Sequence, residues 1–330
     1  MENLPAEILL DVVEQMDIDT IRSLLQANKG IGSLIKRYEK SISKARAAQF
    51  VLPPTGNVLS SSAEDRWIIE GNTFSMISEL EMRNDRYEDL LQQHDWINIS
   101  SPPGMAPLTA EQEEQLSHLL KRAMAHCDRI ADIAANPPCY PFPVKSWGAL
   151  KTARLITSTE YSDNDPYSND RARPVQIEYI RSLSLHDVTM LFCLTNLFGW
   201  EFGMQQAATG PPLDLELTVC FEECVLRHGS WFLGAQLRKS QDFLDLILET
   251  ALYDMDEWES GLSEVPGLRM TMVSHFRELT GIEGNLTLHM LKIVKTLISG
   301  NESAKSEEES EDNGEVQDEE DHKHQDQDWD

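Results

Sequence analysis

Residues Thr109 to Ala135 read TAEQEEQLSHLLKRAMAHCDRIADIAA. Leu116, Leu119, Leu120, Ala123, Cys127, Ile130, Ala131 and Ala134 recur at i, i+3, i+4 and i+7, the spacing of one helical face. Thr109 and Gln112 precede them at the spacing of a capping box, in which each side chain satisfies a backbone N–H of the other. The stretch therefore predicts a long amphipathic helix, and the same period governs most of the chain. Ser184 and Asp187 mark another start. After them Leu185, Val188, Leu191, Phe192, Leu194 and Phe198 are apolar on most sides, which predicts a helix buried at the centre. Leu213 to Arg227, Ser230 to Asp254 and Leu286 to Ser299 read as further helices, and Ser62 to Asp65 as one more start. Strand signals are weak. Leu155 to Tyr161 and Leu217 to Phe221 are short candidates, and neither has a hairpin turn beside it. The expected fold class is all-α.

Pro-Pro pairs at 53–54, 102–103, 137–138 and 211–212 punctuate these segments, because proline lacks a donor and disfavours helix in the residue before it. Val51 to Ser62 (VLPPTGNVLSSS) reads as a linker. Ser162 to Pro174 is polar and reads as a mobile loop. No solenoid or propeller period is present. The expected organisation is a helical module over 1–50, a linker over 51–62, a larger irregular helical domain over 63–300 and a disordered acidic tail over 301–330.

Charge sharpens that division. The chain has 330 residues, 28 basic and 56 acidic, for a net of −28. A balance of that sign argues against binding nucleic acid, which needs clustered cations, and against docking on anionic lipid. The last 30 residues hold 14 acidic and 2 basic residues, a net of −12. Like charges repel and few apolar residues oppose them, so disorder is expected there. Within the tail, Ser306 is followed by Glu307-Glu308-Glu309, a candidate site for an acidophilic kinase. Five cysteines scattered through apolar segments suggest a reducing compartment rather than a disulfide framework. The N-terminus is acidic where a secretory signal would be basic, and no stretch is apolar and long enough to span a bilayer. A cytoplasmic or nuclear location is expected, with no membrane partner.

The first fifty residues carry three short amphipathic helices. Pro5 suits a first helical position, and Glu7 in the first turn favours the helix dipole. Leu4, Ile8, Val12 and Met16 form one i+4 row, with Leu9 and Val13 beside it. Asp17 or Asp19 caps the second helix, which carries Ile21, Leu24 and Leu25. Asn28 to Gly30 breaks the chain before a third, with Ile31, Leu34, Ile35, Tyr38 and Ile42. This pattern resembles the F-box: Leu4-Pro5-x-Glu7-Ile8-Leu9, then Val12-Val13, Met16-Asp17, Thr20-Ile21, Leu24-Leu25 and Ala27-Asn28-Lys29 before Leu34-Ile35. It covers about 45 of the 330 residues. One departure is Ile31-Gly32, where F-boxes often carry a tryptophan. The remaining sequence is diffusely similar to helical regions of F-box proteins in filamentous fungi. The resemblance implies that Leu4, Pro5, Ile8, Leu9, Val12, Ile21, Leu24 and Leu25 bind a Skp-type adaptor and, through it, a cullin. A module of this size has a folding balance near zero when alone, so a partner or the downstream domain is expected to stabilise it.

No constellation points to chemistry. Cys220, Cys224 and His228 fall on one helical face, but eight residues span about 12 Å along the axis, too far for one zinc ion. They read as small core residues and a histidine near a helix end. His118, His126, Cys127 and Cys139 fail on the same grounds. Ser184, His186 and Asp187 lack triad geometry, and nucleophile-elbow, zincin and phosphate-loop motifs are absent. Trp231 and Trp258 read as core. The sequence expectation is thus a non-catalytic adaptor of a Skp–cullin–F-box ubiquitin ligase that needs no cofactor and presents an unknown client. The alternative is an acidic helical interaction protein, or a chaperone for basic partners, with no ubiquitin role.

Overall fold

A computed structural model describes residues 6–61, 66–92, 97–136, 172–209, 215–238, 247–248, 251–252 and 266–299. The fold is all-α. Among the described residues there are twelve α-helices and a single two-stranded sheet. The expectations for Leu4, Pro5, Cys139, Leu155 to Tyr161, Trp258 and the 301–330 tail with Ser306 lie outside the described residues, as does all but the end of the 162–174 loop.

The N-terminal segment forms four helices where three were expected: α1 (Ala6–Glu14), α2 (Ile18–Ala27), α3 (Lys29–Arg37) and α4 (Glu39–Ala47). The expected third helix bends at Tyr38, whose φ of −105° and ψ of 8° leave the helical region. Asp17 caps α2 through an Oδ1 that accepts from Thr20 N–H at 2.8 Å. Asn28 ends α2 and caps α3, accepting from Gly30 and Ile31 N–H. A Cβ at Gly32 would lie 2.8 Å from the Leu25 carbonyl oxygen. Helices α2 and α3 approach closely there, which accounts for glycine at the F-box departure.

Strands β1 (Val58–Leu59) and β2 (Ile68–Ile69) pair antiparallel, and α5 (Phe74–Gln92) follows. The candidate helix start at Ser62 to Asp65 lies outside the described residues, and no helix is present over 66–73. β-branched Ile68 and Ile69 suit an extended, buried edge, and helix starts only at Phe74, whose N–H donates to Glu39 Oε1 at 2.9 Å. The expected linker is partly packed structure, since Val58 to Ser61 are buried.

Helix α5 belongs to two cores. Phe74, Met76, Ile77 and Leu80 join Leu9, Val13, Ile18, Ile21, Ile35 and Ile42 in an N-terminal core. Tyr87, Leu90 and Leu91 join the larger core. Each buried aliphatic contributes about 1.5–3 kcal/mol, so α5 supplies apolar area that α1 to α4 lack among themselves.

The larger core surrounds α6 (Ala110–Asp132), which a 3₁₀ turn (Ile133–Ala135) extends, and α8 (Leu185–Thr209). The capping box of Thr109 and Gln112 is formed. Ser184 caps α8 by accepting from Asp187 N–H at 3.1 Å. Val188, Leu191, Leu194 and Phe198 are fully buried, as the all-round apolar sequence predicted. Around them pack α7 (Arg173–Arg181), α9 (Leu215–His228), α10 (Ser230–Leu237), α11 (Leu268–Thr280) and α12 (Leu286–Ile298). Phe202 stacks on Phe221 at 4.3 Å, and Phe221 meets Phe232 at 5.1 Å.

Several expectations are corrected here. Leu217 to Phe221 is helical, because these residues continue the apolar face of α9 into the core. The helix from Ser230 ends at Leu237. Arg173 and Pro174, expected in a loop, form the first turn of α7, where proline's missing N–H costs nothing.

Candidate functional site

Helix α1 divides its apolar residues between two faces. Leu9 and Val13 are buried at 5% and 0% exposure, whereas Ile8 and Val12 are 48% and 41% exposed. Ile8 and Val12 are four residues apart and so lie one turn apart on the same side. The next turn carries half-buried Met16. On α2, Leu24 and Leu25 are half-buried against the N-terminal core, and Ile21 is wholly within it.

The expected adaptor-binding set is therefore split. Ile8 and Val12 present apolar surface to solvent, and Leu24 and Leu25 present part of theirs. Leu9 and Ile21 do not. Their side chains lie in the N-terminal core with residues of α3, α4 and α5, behind the exposed row. Sequence periodicity identifies both sets as apolar; on α1 it takes the packing against α3 and α4 to decide which of them is covered.

A second constellation lies where β1, α5, α6 and the α9–α10 corner meet, and sequence reading missed it. Arg83 is buried and donates to Asp132 through Nη1 at 2.7 Å and Nη2 at 2.9 Å, to the Leu59 carbonyl at 2.6 Å and to Glu79 at 3.0 Å. Burial opposes its charge, but Asp132, Asp128 and Glu79 more than reverse this and hold its pKa well above the ordinary arginine value. Asp128 accepts from Tyr87 Oη–H at 2.6 Å, Ser230 N–H at 2.7 Å and Ser230 Oγ–H at 2.8 Å. It thereby caps α10 from across the core. Arg86 donates to the Ser230 and Ser61 hydroxyls, and Ser61 in turn donates to Glu79. Arg66 donates to the His228 carbonyl at 3.1 Å and sits 4.8 Å over the Trp231 ring. Burial and neighbouring Arg83 bring its pKa down to about 10.

Three arginines thus face three carboxylates in the interior. The carboxylates are occupied as acceptors, so the cluster has the character of a clamp between the sheet segment and the larger core. Beside it a cleft of about 30 Å³ is lined by Phe50, Leu52, Arg83, Tyr87, Asp128 and Arg129, room for one or two waters. No sequence motif marks the clamp, because the bonds that join α5 to the other segments and α6 to the α9–α10 corner link residues 18 to 144 apart.

Cys127, Cys220, Cys224, His126 and His228 fall in the core. Cys220 and Cys224 are buried, with Sγ 3.8 Å from the Leu248 and Ile247 carbonyls respectively. Burial and three arginines push the pKa of His228 well below the ordinary histidine value. Burial raises the Cys193 thiol to about 12, and burial together with Asp128 raises the Cys127 thiol well above its ordinary value, so neither is a thiolate near neutral pH. His126 Nδ1 lies 2.7 Å from Tyr179 Oη, and His118 is exposed. Ser184 and Asp187 serve the cap of α8. Among the described residues no group of three His, Cys, Asp or Glu side chains is arranged to hold a metal ion, and no helix is long and apolar enough to cross a membrane. The chain matches no protein-family model, no curated protein and no solved structure.

Proposed function

We propose that the chain is a substrate-recognition adaptor of a Skp–cullin–F-box ubiquitin ligase. Its N-terminal helices dock on a Skp-type adaptor, and its helical domain presents a client protein. The observation that carries this reading is the exposed row Ile8–Val12 on α1, with Leu9 and Val13 buried behind it. It coincides with the F-box-like pattern, whose Leu4 precedes Ile8 in the same i+4 row. An exposed apolar row on a helix anchored by its other face suits insertion against a partner's groove, because docking removes that area from water. The chain contributes no chemistry in this role; ubiquitin transfer belongs to other subunits.

Pull-down with a purified Skp-type adaptor tests the reading. The full chain is expected to retain the adaptor, Ile8→Asp with Val12→Asp to lose it, and Met82→Asp, an exposed apolar position on α5, to retain it. Equal retention by all three, or by none, contradicts the proposal.

A further inference from the structure

The charge of this chain is reversed along α3 and α4. Lys29 to Arg46 holds six basic residues and one acidic residue, a net of +5. Excluding that segment and the tail, the rest of the chain has 20 basic against 41 acidic residues, a net of −21. The one carboxylate of the segment, Glu39, is committed to the Phe74 N–H at the start of α5. Arg46 is committed to Glu81 at 2.6 Å. Lys29, Lys36, Arg37, Lys40 and Lys44 are all exposed, and among the described residues none of the five makes an ion pair.

Their spacing gathers them. Tyr38 N–H donates to the Leu34 carbonyl at the end of α3, and Ile42 N–H donates to the Tyr38 carbonyl at the start of α4, so the two helices meet at this one residue. Lys40 and Lys44 lie one turn apart on α4, and Lys36 and Arg37 form the last turn of α3 just before the bend. Cations so placed repel each other, and a solvated anionic segment relieves that repulsion.

We propose that this basic face of α3 and α4 is the docking surface for the chain's own acidic tail, residues 301–330. Charge complementarity selects the occupant: the tail's net of −12 meets +5 here and net negative charge over the rest of the chain. Reach permits it. The described chain ends at Ser299, just after α12. Thirty residues span up to about 100 Å, against a radius of gyration of about 20 Å for a compact chain of this length. Tethering gives the tail an effective local concentration of about millimolar order. It therefore occupies the face ahead of acidic segments offered by other molecules. This docking does not depend on adaptor binding.

Zero-length carbodiimide crosslinking of the dilute full chain, mapped by mass spectrometry on the monomer, tests the contact. At about 0.1 M salt, tail carboxylates are expected to couple to Lys36, Lys40 and Lys44. At about 1 M the Debye length shrinks from about 10 Å to about 3 Å, and those crosslinks are expected to be lost. In full chain carrying Lys40→Glu and Lys44→Glu, coupling to the untouched Lys36 is also expected to fall severalfold, because the field that gathers the tail is reversed. Three results overturn the proposal: tail crosslinks confined to Lys292 and Lys295 beside the tail's origin, unchanged coupling at Lys36 in the variant, or coupling to this face only between two copies.

Discussion

Arg83 and Asp132 form a bidentate pair in the interior, Nη1 to Oδ2 at 2.7 Å and Nη2 to Oδ1 at 2.9 Å. The pair joins α5 to the end of α6. Asp132 also accepts from Leu59 N–H at 2.8 Å, and Arg83 donates to the Leu59 carbonyl. Removing Asp132 breaks this buried bidentate pair and leaves Arg83 with only Glu79 and Asp128 as counterions, a cost of about 3–5 kcal/mol. Asp132→Ala is expected to lower unfolding free energy by that amount in urea denaturation.

Glu223 makes stability depend on acid. Burial alone raises its pKa, but Arg227, Arg173 and the Arg269 N–H bring it down to about 2. An ordinary glutamate titrates at 4.5. Between those values the unfolded chain binds a proton that the folded chain does not. Stability is therefore full above pH 4.5 and falls as pH drops toward about 2, by about 3 kcal/mol for this group. Asp187 acts with the same sign: burial raises its pKa, and Arg122, Ser184 and His126 bring it down to about 2. Glu223→Gln is expected to lower stability at neutral pH and to reduce the acid slope, read from denaturation curves taken across that range.

Gly229 turns the chain from α9 into α10 at a φ of +69°, a conformation that L side chains rarely adopt. A Cβ there would lie 2.1 Å from Asp128 Oδ1. Gly229→Ala is expected to displace Asp128 and so loosen its bonds to Ser230 and Tyr87. A loss of more than about 2 kcal/mol in thermal or urea unfolding is expected, from strain plus a broken buried network.

At Gly32 the obstacle is backbone rather than conformation, since the Leu25 carbonyl stands 2.8 Å from the position of a Cβ. Gly32→Ala is expected to separate α2 from α3 at a cost of about 1–3 kcal/mol. Hydrogen exchange is expected to quicken first in these two helices.

Much of the fold was legible in the sequence because helical period and caps are local. Thr109 with Gln112, Ser184 with Asp187, and Asp17 with Thr20 mark helix starts that the structure forms. The apolar run from Leu185 to Phe198 announced its central place. Local signals failed where tertiary packing decides. Ile68 and Ile69 pair as a strand only because β1 lies beside them, and Leu217 to Phe221 is helical because its apolar side meets the core. Of the candidate site, the row on α1 was legible, but its division into exposed and buried sides depends on packing against α3 and α4. The Arg83 clamp was not legible, because its partners come from distant parts of the chain and their types are common in any helix.

The most direct measurement is the dissociation constant of the full chain for a purified Skp-type adaptor, by calorimetry. Saturable one-to-one binding is expected, weakened at least about tenfold by Ile8→Asp with Val12→Asp, equivalent to about 1.4 kcal/mol, while circular dichroism and unfolding remain those of the wild type. No binding by the wild type, or binding that the double variant leaves intact, would contradict it.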